Sequence, residues 1–255
     1  MEDVLLPGLP HDLIRACYAA APGNEIESGK FSSPESSAAL AANTFGLFLV
    51  EPAALPPPPG SETWGWPALS VCLEAVLRFP WRGGRHPCLD VLVETSTALI
   101  GVESKRYEPF RIKADASLSK AYWRRVWGNA MTGYERVRDN LRDNADYFTR
   151  LDAAQLVKHA FGLRTAVHRE ERWRGKRPVL LYLYAEPEQW PDGRLVPKAD
   201  IETHRAEINQ FAETVAGDEV AFHPCSYRKL LSAWYDSPDE IVRSHALAVV
   251  THFSP

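Results

Sequence analysis

Three charged residues whose types suit metal-assisted hydrolysis interrupt two neighbouring apolar runs of the sequence. Asp90 lies in CLDVLVE, and both Glu103 and Lys105 lie in ALIGVESKR. Two carboxylates held close together repel each other, and a divalent cation relieves that repulsion. Mg²⁺ takes one or two carboxylates and fills its other positions with water and phosphate oxygens, while a nearby ammonium stabilises charge growing on the phosphate. The residue types therefore favour phosphoryl chemistry at a bound metal ion.

Strand geometry would bring the three side chains together. The two apolar runs are separated by only three residues, which is typical of an antiparallel hairpin. Side chains alternate across a strand, so Glu103 and Lys105 share a face with Gly101, which leaves space for a substrate. In a paired hairpin Asp90 can lie beside that face. The alternative is a cross-strand ion pair at a sheet edge, but both runs are apolar enough to be central, where uncompensated charge is unfavourable.

The rest of the chain predicts helices and strands that would position this hairpin in an α/β fold. Besides the hairpin, the predicted elements are a helix at 12–20, a helix beginning near Ser33, a strand at 69–81, a polar helical segment at 115–150, a helix at 149–170, a strand at 177–187, a helix at 199–217, a strand at 218–227 and a helix at 226–236. Helices alternating with strands in this order predict a mixed central sheet flanked by helices. The proline-rich stretch 55–62 reads as a loop, so we expect a single domain over 1–255.

Composition indicates a folded protein. The chain has 255 residues, of which 45% are hydrophobic and eight are Trp. It has no apolar run near the roughly 20 residues that span a bilayer, and its first residues are acidic where a signal peptide would be basic. The four cysteines form no CxxC pair. We therefore expect a soluble cytoplasmic protein with reduced thiols and no membrane partner.

Charge is segregated along the chain, although the net charge of −4 by itself argues against a nucleic-acid partner. Residues 105–177 carry 18 Lys and Arg against 9 Asp and Glu, a net charge of +9, which leaves −13 for the rest. Such segregation can present one basic face to a polyanion, or it can be a solvated helix surface. Within this segment, aromatic residues such as Trp127 alternate with basic ones. We expect the aromatics in the core, and Arg124 and Arg125 on a face that could contact phosphates.

The pattern on Asp90, Glu103 and Lys105 resembles the D…ExK motif of the PD-(D/E)xK nuclease superfamily, whose restriction-endonuclease-like core runs helix, three strands, helix, strand. The resemblance covers roughly residues 33–185 and is strongest over 86–110. The text of residues 77–110 is also similar to a group of uncharacterised bacterial proteins described as restriction endonucleases. The proline and aspartate that are adjacent in the family are separated here by two residues, in Pro87-Cys88-Leu89-Asp90. Residues 186–255 would then pack on the core as an additional strand and helices.

The resemblance implies a nuclease that uses Mg²⁺ or Mn²⁺ to hydrolyse phosphodiester bonds of nucleic acid, with DNA the expected substrate. Asp90 and Glu103 would be the metal ligands, and Lys105 would act on the attacking water and the scissile phosphate. Many relatives that cut duplexes are dimers, so a homodimer is a further expectation. The sequence does not decide whether the substrate is DNA or RNA, or whether the enzyme cuts within a strand or from an end.

The helix after the ExK strand often carries a polar site residue in this family. Gln155, Lys158 and His159 lie three or four residues apart and can point the same way on a helix. By resemblance, Gln155 joins the catalytic residues and Lys158 contacts nucleic acid, as Arg106 would beside the motif. The alternative for the helix residues is a solvent-facing stripe.

Many members carry a further glutamate on the first core helix. Glu35 and Glu74 are both candidates here, and the sequence does not decide between them.

Other functions are open on the same residues. A member of this fold can bind nucleic acid, or serve a structural role, without catalysis, and the charged face can also belong to an enzyme that acts on a small molecule. Two His-Pro-Cys triplets, at 86–88 and 223–225, would complete a zinc site if their strands met, but the spacing departs from that of zinc knuckles. Neither a G-x-S-x-G elbow nor a Walker loop is present.

Overall fold

A mixed five-stranded sheet organises the computed structural model, which describes residues 4–111, 118–144 and 146–255. The strands are β1 Ser70–Val76, β2 Cys88–Glu94, β3 Ala98–Lys105, β4 Arg177–Tyr184 and β5 Ala221–Ser226, and they lie in this order across the sheet. β1, β2 and β3 are antiparallel neighbours, whereas β3, β4 and β5 run parallel. The predicted α/β class, with a mixed sheet between helices, is confirmed.

Helices cover both faces of the sheet. They are α1 His11–Ala20, α2 Ser37–Phe45, α3 Thr132–Asp143, α4 Ala153–Arg169, α5 Lys198–Thr214, α6 Tyr227–Tyr235 and α7 Glu240–Phe253. One hydrophobic cluster joins one face of the sheet to α1, α2, α6 and α7, and a second joins the opposite face to α3, α4 and α5. Among the described residues, none of the helices has the length and apolar character needed to cross a membrane.

α2 lies directly against the strands because its side chains are small. Its run Ala38–Ala42 is buried, and alanine lets a helix approach a sheet closely. The helix begins at Ser37, later than predicted, because the hydroxyl of Ser36 accepts from the backbone N–H of Ala39 and caps the first turn. Ser33 instead begins a tight turn, with its carbonyl accepting from Ser36. The hydroxyl of Ser104, near the end of β3, donates to the carbonyl of Ser37 at 3.3 Å, so the N-terminus of α2 lies at the end of β3.

The prediction of helix over 115–150 is largely wrong. Apart from 112–117 and 145, which lie outside the described residues, the segment holds only the short 3-10 helix Lys120–Trp123 and α3. Arg124 is extended and Gly128 has a φ of +73°, so a helix cannot continue through them. The aromatic residues are nevertheless in the core, as expected: Trp127 is buried and stacks on Phe161 with ring centroids 4.1 Å apart.

α7 was absent from the prediction. Asp239 caps it by accepting from the backbone N–H of Ile241, and its inner face buries Val242, Val249 and Phe253 at helical spacing. His245 contacts the carbonyl of Thr44 at 3.1 Å and fixes α7 against α2. The Ser-Pro-Asp-Glu start and the apolar spacing were the signals that could have predicted this helix.

Candidate active site

The candidate site lies where β2 and β3 separate. Their pairing runs from Glu94 to Val91 and stops there, although the same register would set Glu103 opposite Asp90. The carboxylate of Asp90 takes the place of a strand partner, because its Oδ2 accepts from the backbone N–H of Ser104 at 2.6 Å. Separation of the strands lets the side chains of Asp90 and Glu103 reach one pocket.

Glu103 is a buried carboxylate with two basic neighbours. It is 1% exposed, with Oε1 2.5 Å from Lys105 Nζ and Oε2 3.0 Å from His159 Nε2. The Lys105 contact is an ion pair, and the His159 contact lies at hydrogen-bond distance. Because each carboxylate oxygen has two lone pairs, each can still accept a further hydrogen bond or contact a cation.

α4 supplies the other wall of this contact. Asp152 caps the helix by accepting from the backbone N–H of Gln155, which directs its first turn at the end of β3. The side-chain oxygen of Gln155 accepts from Lys105 Nζ at 2.8 Å, and His159 reaches Glu103 one turn later. The structure thus brings Asp90, Glu103, Lys105 and Gln155 together, all four of the residues predicted to be catalytic.

His159 is the contact that the sequence did not single out. It shares the spacing of Gln155 and Lys158, so periodicity alone could not rank the three. Lys158 is partly exposed, and in the described part of the chain it makes no hydrogen bond or ion pair. A lone buried histidine on an apolar helix face gives no signal in sequence until its carboxylate partner is known.

The four residues open into a cavity of about 450 Å³. Its walls also include Glu74 and Cys88 from β1 and β2 and the N-terminal turn of α2, Ser36 to Ala38. The cavity is mainly polar in character, as expected for a site that receives an anionic or hydrated ligand rather than an apolar one.

Glu74 has an unusual backbone conformation at this wall. It lies between Leu73 and Ala75, which pair with Val91 and Leu89, so its register position faces Asp90. Its φ is +52°, the left-handed region that a non-glycine residue rarely adopts. Burial raises the pKa of Glu74 to about 7, and its carboxylate accepts from the Cys88 thiol at 3.4 Å.

Glu35, the other candidate for a third acidic residue, also lines the cavity. It precedes the first turn of α2 rather than lying within the helix, and its carboxylate is paired with Arg111. Glu74 has no such cationic partner among the described residues. The two acids therefore share one cavity but differ in how their charge is balanced.

The carboxylates of Asp90 and Glu103 are pushed in opposite directions. Burial, together with the charge of Glu103, raises the pKa of Asp90 well above its usual value. Burial alone would raise the pKa of Glu103 too, but Lys105 and His159 outweigh it and hold that pKa at about 2. Lys105 in turn has its pKa raised by Glu103 against the effect of burial. The site therefore holds a Glu103–Lys105 ion pair beside an aspartate that resists ionisation until positive charge arrives.

The donor set suits Mg²⁺ or Mn²⁺ in an open site. Within 4–111, 118–144 and 146–255, no three His, Cys, Asp or Glu side chains are gathered into a closed cage for a metal. Mg²⁺ takes one or two carboxylates and leaves its remaining positions to water and phosphate oxygens, and the carboxylates of Asp90 and Glu103, which line one cavity, fit that role. Hard oxygen donors would select Mg²⁺ or Mn²⁺ over softer metals.

The predicted nucleic-acid contacts differ in placement. Arg124 and Arg125 are exposed, and the Arg124 guanidinium lies 4.8 Å from the ring centroid of Trp81. Arg106 is 6% exposed, and its guanidinium donates to the carbonyl of Phe253 at 2.6 Å and to that of Pro34. We do not retain Arg106 as a phosphate contact, because its side chain is buried and two of its guanidinium nitrogens donate to backbone carbonyls.

The zinc hypothesis has no support from the two His-Pro-Cys triplets. His86 accepts from the backbone N–H of Phe79 at 3.0 Å, whereas His223 contacts the carbonyl of Pro59 at 3.0 Å. His86 lies just before β2 and His223 lies on β5, with β3 and β4 between these strands in the sheet. The structure has all four cysteines as free thiols.

Comparison of the chain with protein-family models, with curated proteins and with solved structures gave no match. Function therefore has to be argued from the geometry of this site.

Proposed function

We propose that this chain is a metal-dependent nuclease of the PD-(D/E)xK superfamily with a restriction-endonuclease-like core. α2, the strands β1 to β3, α4 and β4 follow one another in the order of that core. The observation that carries the proposal is the buried Glu103–Lys105 pair, set beside Asp90 at the point where two strands separate. A buried ion pair adds little stability over an apolar pair, so its presence in a polar cavity favours a functional role.

In this proposal Asp90 and Glu103 hold Mg²⁺ or Mn²⁺, which would activate water and neutralise charge on the scissile phosphate. Lys105 stabilises the charge that develops on the phosphate, and Gln155 fixes the direction of its ammonium through their 2.8 Å hydrogen bond. His159 keeps one oxygen of Glu103 in place from α4 and is a positioning residue.

Nucleic acid is the proposed substrate, with DNA favoured. The net charge of +9 over 105–177, within a chain of net charge −4, supports a polyanionic partner. A homodimer remains a prediction, since cutting both strands of a duplex suits two copies of one site. The rival function, a nucleic-acid-binding or structural protein without catalysis, would keep the ion pair but need no metal.

The test is a cleavage assay with purified protein. Linear duplex DNA, circular duplex DNA, single-stranded DNA and RNA would each be incubated with Mg²⁺, Mn²⁺ or EDTA, beside the Asp90→Asn variant. We expect metal-dependent products from the parent alone, and Mg²⁺ binding in calorimetry that the variant loses. Failure to cut all four substrates, with no heat of Mg²⁺ binding, would refute the nuclease.

A further inference from the structure

Two stretches of this chain have no acidic residue and pack against each other. Residues 75–89 and 116–134 contain neither Asp nor Glu. The first contributes Arg78, Arg82 and Arg85, and the second contributes Lys120, Arg124 and Arg125. Each stretch therefore carries three Lys or Arg residues and no acidic residue, a net charge of +3.

Aromatic rings join the two stretches. Trp81 lies 5.6 Å from Trp127 between ring centroids, and Phe79 lies 5.4 Å from Tyr122. The guanidinium of Arg124 covers the Trp81 ring at 4.8 Å, a cation–π contact that crosses from one stretch to the other. These contacts place the 77–87 loop beside the residues around Arg124, so the exposed arginines of the two stretches lie on neighbouring parts of the surface.

Four arginines form what we call the cationic ledge: Arg82, Arg85, Arg124 and Arg125. All four are exposed, and within the described residues none of them pairs with a carboxylate. Other arginines of the chain do have such partners, as Arg164 has in Glu219 at 3.2 Å. Neighbouring cations without counter-charges repel each other, and an anionic ligand removes that repulsion.

The ledge lies at the same end of the sheet as the candidate site. Residues 77–87 leave β1 after Val76 and enter β2 at Cys88, which lines the cavity. β3 runs antiparallel to β2 and ends at Lys105, so the start of β2 and the end of β3 share one edge. A chain of phosphates bound on the ledge would thus continue into the cavity.

We propose that the cationic ledge binds the phosphate backbone of a polynucleotide on one side of the candidate site. The proposal rests on the proposed function for the identity of the partner, but this binding requires no metal. An anionic membrane is less favoured, because Trp81 is covered by Arg124 and is not free to insert. The large apolar side chains exposed in the described parts of the two stretches are Val76 and Val126 alone.

Salt dependence of binding tests the ledge directly. The variants are Arg82→Ala/Arg85→Ala and Arg124→Ala/Arg125→Ala. The matched control, Arg174→Ala/Arg177→Ala, removes the same charge from exposed positions at the opposite end of the sheet, where β4 begins. Binding of a fluorescent duplex would be followed by anisotropy in EDTA over a series of KCl concentrations, so cleavage cannot interfere. Arg82→Lys/Arg85→Lys is a further variant, which keeps the charge.

The slope of log affinity against log salt has a magnitude of about 0.9 for each phosphate contact. Removing two contacting arginines should therefore make the slope less steep by about 2 in each double variant of the ledge. We expect affinity at moderate salt to fall roughly tenfold or more in both ledge pairs, while the control and the lysine variant stay near the parent.

The proposal would be overturned if both double variants of the ledge had the salt slope of the parent, or if the control variant lost as much DNA affinity as they do. The proposal would also be overturned if the parent bound phosphatidylserine vesicles more tightly than DNA and the ledge variants lost that vesicle binding. Ledge-dependent DNA binding by a parent that cuts no substrate would support the ledge and refute the nuclease, so the two failures are distinguishable.

Discussion

Lys105 lies between two acceptors whose roles differ in the proposed reaction. Its ammonium is 2.5 Å from Glu103 and 2.8 Å from Gln155. A group aimed at charge that appears only in the transition state changes rate more than binding. Lys105→Ala should therefore lower single-turnover cleavage by about 10²–10³ while Mg²⁺ and DNA affinities change by a few-fold.

Lys105→Met separates charge from packing, since it keeps the apolar stem of the side chain. We expect it to be as slow as the alanine variant. Cleavage at the parent rate by Lys105→Ala would instead make Lys105 a structural partner of Glu103.

Asp90 combines a structural hydrogen bond with a proposed metal contact, and the two can be separated. In Asp90→Asn the side-chain oxygen can still accept from the backbone N–H of Ser104, but the charge is lost. Because burial raises the pKa of Asp90, removing that charge should not weaken the fold. We expect urea denaturation like that of the parent and no metal-dependent cleavage. An unfolded variant would show that Asp90 is structural.

β1 keeps a glutamate where glycine would be easier to accommodate. The φ of +52° at Glu74 implies strain of about 1–3 kcal/mol, against roughly 0.5–1 kcal/mol of entropy lost with glycine in a strand. Glu74→Gln is the matched control, since both changes remove the carboxylate and only glycine relieves the strain. Urea denaturation at neutral pH should give Glu74→Gly about 1 kcal/mol more stability than Glu74→Gln.

The same two variants address the third acidic residue. If Glu74 completes the metal site, calorimetry should find Mg²⁺ affinity reduced equally in both. A glycine variant less stable than the glutamine one would mean that the left-handed conformation carries no strain, and unchanged Mg²⁺ affinity would leave Glu35 as the remaining candidate.

α5 is attached to β4 through a histidine that makes stability depend on pH. His204 is fully buried, contacts the Tyr182 hydroxyl at 2.8 Å, and has its pKa lowered by burial to about 4. The unfolded chain takes up this proton near pH 6.5, so the stabilisation is present above that pH and is lost as pH falls. Between pH 7 and pH 5 the contribution of His204 to the free energy of unfolding should fall by about 2 kcal/mol.

Urea denaturation of the parent and His204→Gln at several pH values measures this contribution. The difference in unfolding free energy between the two proteins should shrink as pH falls towards 5. A difference that stays constant over this range would show that His204 does not titrate between the folded and unfolded states as its burial implies.

Elements with a strong period were predictable and irregular ones were not. β2 to β5, α4 and α5 were predicted close to their bounds because apolar residues repeat at strand or helix spacing there, whereas the strand predicted at 69–81 already ends at Val76. Residues 115–150 misled the prediction because aromatic residues at helical spacing fill the core from turns around Gly128. Tertiary packing decides such segments.

The site was predictable only as far as its motif. Asp90, Glu103 and Lys105 followed from residue types and spacing and Gln155 from the family resemblance, and the structure brings all four into one cavity. The His159 contact and the left-handed Glu74 could not be predicted, since one depends on packing between α4 and β3 and the other on a local backbone distortion. The burial of Arg106 likewise depends on the path of α7, which was not predicted.

The two hydrophobic clusters share one sheet, so the protein should unfold as a single unit. Val91 and Val93 face the cluster that contains Trp234, while Leu92 faces the one that contains Trp127. Neither face of the sheet can lose its helices without exposing strands that the other face needs. A single domain over 1–255 therefore stays a prediction, which cooperative unfolding would support.

Trp127→Ala and Trp234→Ala test this cooperativity from opposite faces. Both side chains are fully buried, so each change should lower the unfolding free energy by about 3–5 kcal/mol. Urea transitions followed by far-UV circular dichroism and by the fluorescence of the remaining tryptophans should coincide in both variants, because loss of either cluster removes support from the shared strands. Two separated transitions, with one variant shifting only the first and the other only the second, would instead assign the two faces to independently folding units and contradict a single domain.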